Sequence, residues 1–390
     1  MGTPRLTSKL DGFGTTIFAE MSALAVATGS INLGQGMPDT DGPAEVLDAA
    51  VEAIRAGHNQ YPPGPGIPAL RAAVAEHQQR FYGLAWDPDT DVLVTCGATE
   101  AIAAALLALL DTGDEAIVFE PYYDSYGACI SMAGAQRRTV LLRAPDFSFD
   151  PDELRAAVTD RTRVILLNTP HNPTGKVFTR DEVATVADVA AEHDLVVISD
   201  EVYEHLTFDA VPHVPFASLP GMAERTVSIG SGGKCFSVTG WKVGWVTGPS
   251  ELVTAVRTAK QFLTYVSSGP FQHAVAAGLR LPDAYFAESA ADMQAKRDRL
   301  VPGLVDAGFE VYPTSGTYFV VADITPFGEQ DGMAFCRSLP DRCGVVAVPC
   351  SVFYDDADAG RALVRFGFCK QHHVLDEAAD RLRALGGAGR

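Results

Sequence analysis

The feature that most constrains this chain is a unit repeated through its middle: a short β-branched run, then a turn rich in Gly, Pro or Asn, then often a helix. Val92–Thr95 precedes CGATEAIAAALLALL, Ala116–Phe119 precedes EPYYDSYG, and Val164–Leu167 precedes NTPHNPTGK. Leu195–Ser199 leads into DEVYEHL, and Thr226–Gly230 into SGGKCFSVTGWKVGW. These runs are apolar almost throughout instead of alternating, which marks strands covered on both faces, in a parallel sheet between helices. Parallel sheets of this kind bind ligands beyond the carboxyl ends of their strands, and the polar residues here collect just after each run.

After about residue 285 the texture changes. A charged helical stretch, MQAKRDRLVPGLVDAG, is followed by short strands at GTYFVVAD, CGVVAVPC and LVRFGFCK and by an amphipathic helix, VLDEAADRLRALGG. The expected organisation is an arm over 1–38 packing on the small domain or on a partner subunit, a large ligand-binding domain over 39–285, and a small α+β domain over 286–390. The fold class is α/β.

Composition narrows the function classes. With 30 Lys+Arg against 49 Asp+Glu the net charge is −19, which argues against nucleic acid and against an anionic membrane surface as partners. Only seven residues are lysine, so each is open to individual weighing. The N-terminus lacks the apolar core of a signal peptide, and Ala101–Leu110 is about half a membrane span. Seven cysteines without a CxxC read as thiols in a reducing cytoplasm, and nine histidines without ligand spacing give no expectation of a metal. Neither Gly-Lys pair is followed by Ser or Thr, and no GxGxxG is present, so P-loop and Rossmann nucleotide sites are excluded. Ser231-Gly-Gly-Lys234 matches the SxxK of penicillin-binding enzymes, but their SDN and KTG motifs are missing.

A spaced set remains: Gly97-Ala98-Thr99, Tyr123, Asn172, Asp200, Tyr203, Ser231, Lys234, Lys242 and Arg365. Singly, each has a structural explanation: Gly97 a tight turn, Thr99 or Asp200 a helix cap, Asn172 a turn former. Together they match the needs of a pyridoxal phosphate site. Lys234 offers an amine to an aldehyde, and Asp200 a carboxylate to the protonated pyridine nitrogen. Tyr203 and Asn172 suit the ring's phenolic oxygen, and Tyr123 suits stacking. Gly97, Ala98, Thr99, Ser231 and Lys242 suit a phosphate at a helix N-terminus, and Arg365 suits the carboxylate of an amino acid.

NTPHNPTGK, SDEVY, SGGKCFSVTGWKVGW and LVRFGFCK make the chain resemble the class I, fold-type-I pyridoxal phosphate aminotransferases. INLGQGMPD, NQYPPGPGIPALR and FEPYYDSY make it similar, within them, to the kynurenine/glutamine aminotransferase and actinobacterial N-succinyldiaminopimelate aminotransferase branch. The resemblance implies a large domain with a mostly parallel seven-stranded sheet plus a smaller α+β domain. It implies that Lys234 is the Schiff base lysine and proton shuttle, assisted by Asp200 and Tyr203. Tyr61 would reach the phosphate of the other subunit of a homodimer. Gly36, Asn172 and Arg365 would hold the substrate carboxylate, with Phe18 and Tyr318 as walls of the side-chain pocket. The implied reaction moves an amino group from an L-amino acid (aromatic, sulfur-containing, long-chain, or N-succinyldiaminopimelate) to a 2-oxo acid. A β- or γ-elimination or replacement enzyme on the same fold is the alternative. Cys235, beside Lys234, is a candidate for oxidation sensitivity.

Overall fold

The computed structural model describes residues 7–14 and 16–387. Strand β1 (Ile31–Asn32) precedes the seven strands of the main sheet: β2 (Val92–Thr95), β3 (Glu115–Glu120), β4 (Gln136–Leu141), β5 (Thr162–Asn168), β6 (Val196–Asp200), β7 (Thr226–Ser231) and β8 (Gly244–Thr247). Their order is β2-β8-β7-β6-β5-β3-β4, with β8 antiparallel to both neighbours and the other pairs parallel. β2, β3, β7 and β8 are buried at every position, which is why they read as continuous apolar runs. β4 does not read that way. It carries Arg137 and Arg138, and exposed positions alternate along its first half because it is an edge strand, where charge blocks pairing with another chain.

Register brings the turn residues together. Thr95 and Ser231 both pair with Gly244, and Asn168 pairs with Asp200, so the turns after β2, β5, β6 and β7 open on one rim. The helix Gly97–Leu109 starts at that rim.

The C-terminal sheet contains β9 (Glu310–Val311), β10 (Phe319–Asp323), β12 (Val348–Pro349) and β13 (Leu363–Gly367), in the order β12-β13-β10-β9 and antiparallel. The helix leading into it, Asp283–Ala307, starts just before the expected boundary at 285/286. In the N-terminal segment, the helix Ile17–Thr28 is capped by the Thr16 side chain and ended by Gly29 at φ 63°. β1 then pairs in parallel with β11 (Val345–Val346), which fastens the segment to the C-terminal region. Among the described residues no helix is long and apolar enough to cross a membrane.

One glycine shows how tightly the sheet is covered. Gly230 of β7 lies opposite Trp245 of β8, and a Cβ there would sit 2.3 Å from the indole. Gly230→Ala is expected to lower stability by roughly 1–3 kcal/mol through overpacking. A lower midpoint of urea unfolding with an unchanged slope checks this; an unchanged midpoint contradicts it.

Candidate active site

The rim of the main sheet, the C-terminal sheet and the N-terminal segment enclose a cavity of about 510 Å³. Gly97, Ala98, Thr99, Tyr123, Asn172, Asp200, Tyr203, Ser231, Lys234 and Lys242 line it, as do Gly36, Phe18 and Arg365. Two of the expected residues do not. Tyr61 is 81% exposed on the outer surface, and Tyr318 is buried behind the wall.

At one end the helix Gly97–Leu109 begins at Cys96 with no side chain capping it, so its first N–H groups face the cavity free. Thr99, a cap candidate by sequence, lies inside the helix and does not cap it. Gly97 adopts φ 74°, and Lys242 holds a left-handed φ of 56°, which brings its ammonium against Gly97. Gly244 leaves room for this: a Cβ there would meet the Gly97 carbonyl carbon at 2.7 Å and the Ala98 nitrogen at 2.8 Å. Uncapped N–H groups beside an ammonium form a cradle for a phosphate.

In the middle lie Lys234 and Asp200. Burial lowers the Lys234 amine to about 8; the Lys242 and Arg365 cations add to this and the Asp200 carboxylate opposes it. Burial raises Asp200 to about 6, against the lowering effect of a hydrogen bond that Tyr126 donates to its Oδ2 at 2.5 Å. Sequence reasoning did not single out Tyr126. It sits in the helix Ser125–Ala133, and only the sheet order brings it under Asp200. The helix-capping alternative for Asp200 gives way to this contact, although Oδ1 also accepts weakly from the Val202 N–H at 3.4 Å.

At the far end Arg365, on β13, is 1% exposed. It donates from Nη1 to Asn172 Oδ1 at 2.8 Å and from Nη2 to the Gly34 carbonyl at 2.8 Å, and its buried Nε has no partner among the described residues. The guanidinium carbon lies 3.9 Å from the Phe319 ring centre and 5.2 Å from that of Phe18. Phe319, not its neighbour Tyr318, is therefore the aromatic wall on this side. The unpartnered Nε, held between aromatic faces, is suited to a carboxylate.

Other groups fall outside the cavity. Burial pushes the Cys235 thiol well up, so it is a poor nucleophile and the oxidation-sensitivity expectation loses its basis. His77, Glu204 and His205 bring potential ligand atoms within 4.8 Å of one another, although the sequence spacing gave no sign of it. The two Nε2 atoms are 2.7 Å apart, shorter than the ~3.3 Å between two ligands of a tetrahedral zinc. Burial holds His77 at about 3, so the pair is neutral and shares one N–H between two rings.

The chain and its fold match known proteins. The family model for class I and II aminotransferases matches residues 28–382, and the chain belongs to that family. The solved N-succinyldiaminopimelate aminotransferase of Mycobacterium tuberculosis superimposes with a TM-score of 0.95 at 52% identity, covering 98% of this chain and 100% of that one. A methionine aminotransferase of Escherichia coli is 41% identical over 97% of this chain and 98% of its own length. A kynurenine–oxoglutarate transaminase of Dictyostelium discoideum is 38% identical over 97% and 96%. The fold is that of fold-type-I pyridoxal phosphate enzymes, and the reaction is transamination of an amino acid with a 2-oxo acid; elimination or replacement is not favoured.

The Tyr126 contact generates a pH prediction. Its hydrogen bond favours the carboxylate form of Asp200, so Tyr126→Phe should raise the Asp200 pKa by about one unit. The acidic limb of kcat/KM then moves to higher pH, and activity at pH 6 falls more than at pH 8. A limb that stays in place would show that Tyr126 does not tune Asp200.

Proposed function

We propose that this chain is a homodimeric, pyridoxal phosphate-dependent transaminase whose preferred donors have uncharged side chains. The carrying observation is the joint placement of the uncapped helix start with Lys242, the Asp200–Lys234 pair and the Arg365 guanidinium around one cavity. The residues fit the cofactor: Gly97–Thr99, Ser231 and Lys242 would hold its phosphate, Asp200 its pyridine nitrogen, Tyr203 and Asn172 its phenolic oxygen, and Tyr123 its ring face. When bound, the cofactor supplies an aldehyde that takes up the donor's amino group and a ring that withdraws electrons from its Cα. Arg365 and the Gly36 segment hold the donor carboxylate and so orient Cα–H. An amine titrating near 8 is partly neutral at physiological pH, so Lys234 can accept the Cα proton and return it on the other side of the nitrogen. Asn172 Oδ1 is taken by Arg365, while no described residue takes its amide N–H groups, which leaves them for a ligand.

The donor preference rests on charge. Among the described residues lining the cavity the cations are Lys234, Lys242 and Arg365, and each already has a task. The rest of the pocket offers Thr16, Phe18, Gln35, Met37, Ile102 and an acid, Asp124. A second carboxylate would meet no cation there, whereas a thioether or an aromatic ring would meet apolar walls. N-succinyldiaminopimelate is the second reading, favoured by the 52% identity to the M. tuberculosis enzyme. Its additional carboxylates would need cations from the partner subunit.

A homodimer is supported by the surface around Tyr61. Its ring packs 5.7 Å from Tyr265, which is 50% exposed, and exposed Phe262 and Leu263 lie next along the chain. An apolar patch of this kind marks an interface, and Tyr61 would reach across it to the partner's phosphate. Seven free cysteines fit the cytoplasm.

Purified protein should absorb near ~410–430 nm, and the band should shift when a donor is added. Lys234→Ala should abolish turnover while cofactor still binds non-covalently; full activity in this variant would remove Lys234 from the mechanism. In a screen with pyruvate as acceptor, methionine and aromatic donors should exceed glutamate in kcat/KM by at least about ten-fold. A dominant rate with N-succinyldiaminopimelate would favour the second reading.

A further inference from the structure

Tyr318 is 1% exposed and does not line the cavity, yet its hydroxyl touches the residue on which the chemistry turns. Lys234 Nζ donates to Tyr318 Oη at 2.7 Å, and Tyr318 Oη donates to the Gly36 carbonyl at 2.9 Å. A phenol has one proton. With that proton given to Gly36, the oxygen meets Lys234 with a lone pair, so the chain of bonds runs in one direction, from ammonium to phenol to carbonyl.

The carbonyl it reaches is not incidental. A Cβ on Gly36 would lie 2.7 Å from the Tyr318 ring and 2.4 Å from the Phe319 ring, so the segment presses on both side chains. Two residues earlier, Gly34 accepts from Arg365, and the neighbouring Leu33 carbonyl accepts from the Gly367 N–H of β13. One short segment, Leu33–Met37, thus holds Arg365 at one end and, through Tyr318, Lys234 at the other. The adjacent pair Tyr318–Phe319 repeats this division, with the phenol on the lysine and the phenyl ring against the guanidinium.

We propose that Tyr318 is a positioning residue for transamination: its phenol holds the free Lys234 amine at the place from which the amine serves Cα, and ties that place to the segment beside the carboxylate site. The proposal rests on the reading of Lys234 as proton carrier. A buried tyrosine with a purely packing role would be satisfied by Gly36 alone.

Tyr318→Phe removes the hydroxyl and keeps the ring. In the full-length apoenzyme, labelling of Lys234 by trinitrobenzenesulfonate is followed against pH by peptide mass spectrometry. The phenol oxygen stabilises the ammonium form, so the variant should titrate about one unit lower than the wild type. In the holoenzyme kcat should fall about ten-fold with KM held within two-fold, and the deuterium isotope effect at Cα should increase. Incorporation of 3-fluorotyrosine at 318, which weakens the acceptor without changing shape, should move the lysine in the same direction by less. An unchanged labelling profile together with an unchanged isotope effect overturns the proposal. Full activity in Lys234→Ala would instead overturn the reading beneath it, so the two failures are distinguishable.

Discussion

Burying a guanidinium is costly unless its N–H groups are satisfied, and Arg365 meets part of that cost by drawing on three distant parts of the chain, two for hydrogen bonds and one for a ring face. Asn172 comes from the turn after β5, Gly34 from the segment after β1, and the Phe319 ring from β10. The relative placement of main sheet, C-terminal sheet and N-terminal segment therefore converges on one side chain. Its Nε is left buried without a partner among the described residues.

The same low-dielectric surroundings set the protonation of the two groups at the centre. Burial penalises whichever form is charged, so it lowers the lysine to about 8 and raises the aspartate to about 6. One physical cause moves an acid and a base toward neutrality from opposite directions. Tyr126 and the surrounding cations then adjust each of them separately. An exposed pair of the same residues would be a plain ion pair, with neither member able to exchange a proton near neutral pH.

Much of this was legible in the sequence because parallel strands buried on both faces carry an unbroken apolar signal and end where the ligand binds. The turns after β2, β5, β6 and β7 could therefore be read directly, and with them Gly97, Asn172, Asp200 and Lys234. Other features depend on information absent from local pattern. β4 is a strand despite two consecutive arginines because it lies at the edge, a property of strand order. Tyr126 lies 74 positions from Asp200 and His77 lies 128 from His205, and neither pair shares a motif. Tyr318 and Phe319 are adjacent aromatics whose assignments turn on how the chain enters β10, where Thr317 takes φ 65°. Sequence reasoning singles out Tyr318 and misses Phe319, because adjacency in the chain does not separate the ring that faces the cavity from the one that faces the lysine.

The pairing of β1 with β11 has a consequence for how the molecule is made. Ile31 and Asn32 leave the ribosome early, while Val345 and Val346 emerge roughly 15–60 s later at ordinary elongation rates. Throughout that interval the main sheet, with the uncapped helix start and Lys234 at its rim, can assemble behind a leading segment that has no strand to join. Arg365 is made later still. A nascent chain therefore has the turn residues of the main-sheet rim well before the guanidinium that closes the far end of the cavity, and the cavity is completed only as the last strand of the C-terminal sheet is made.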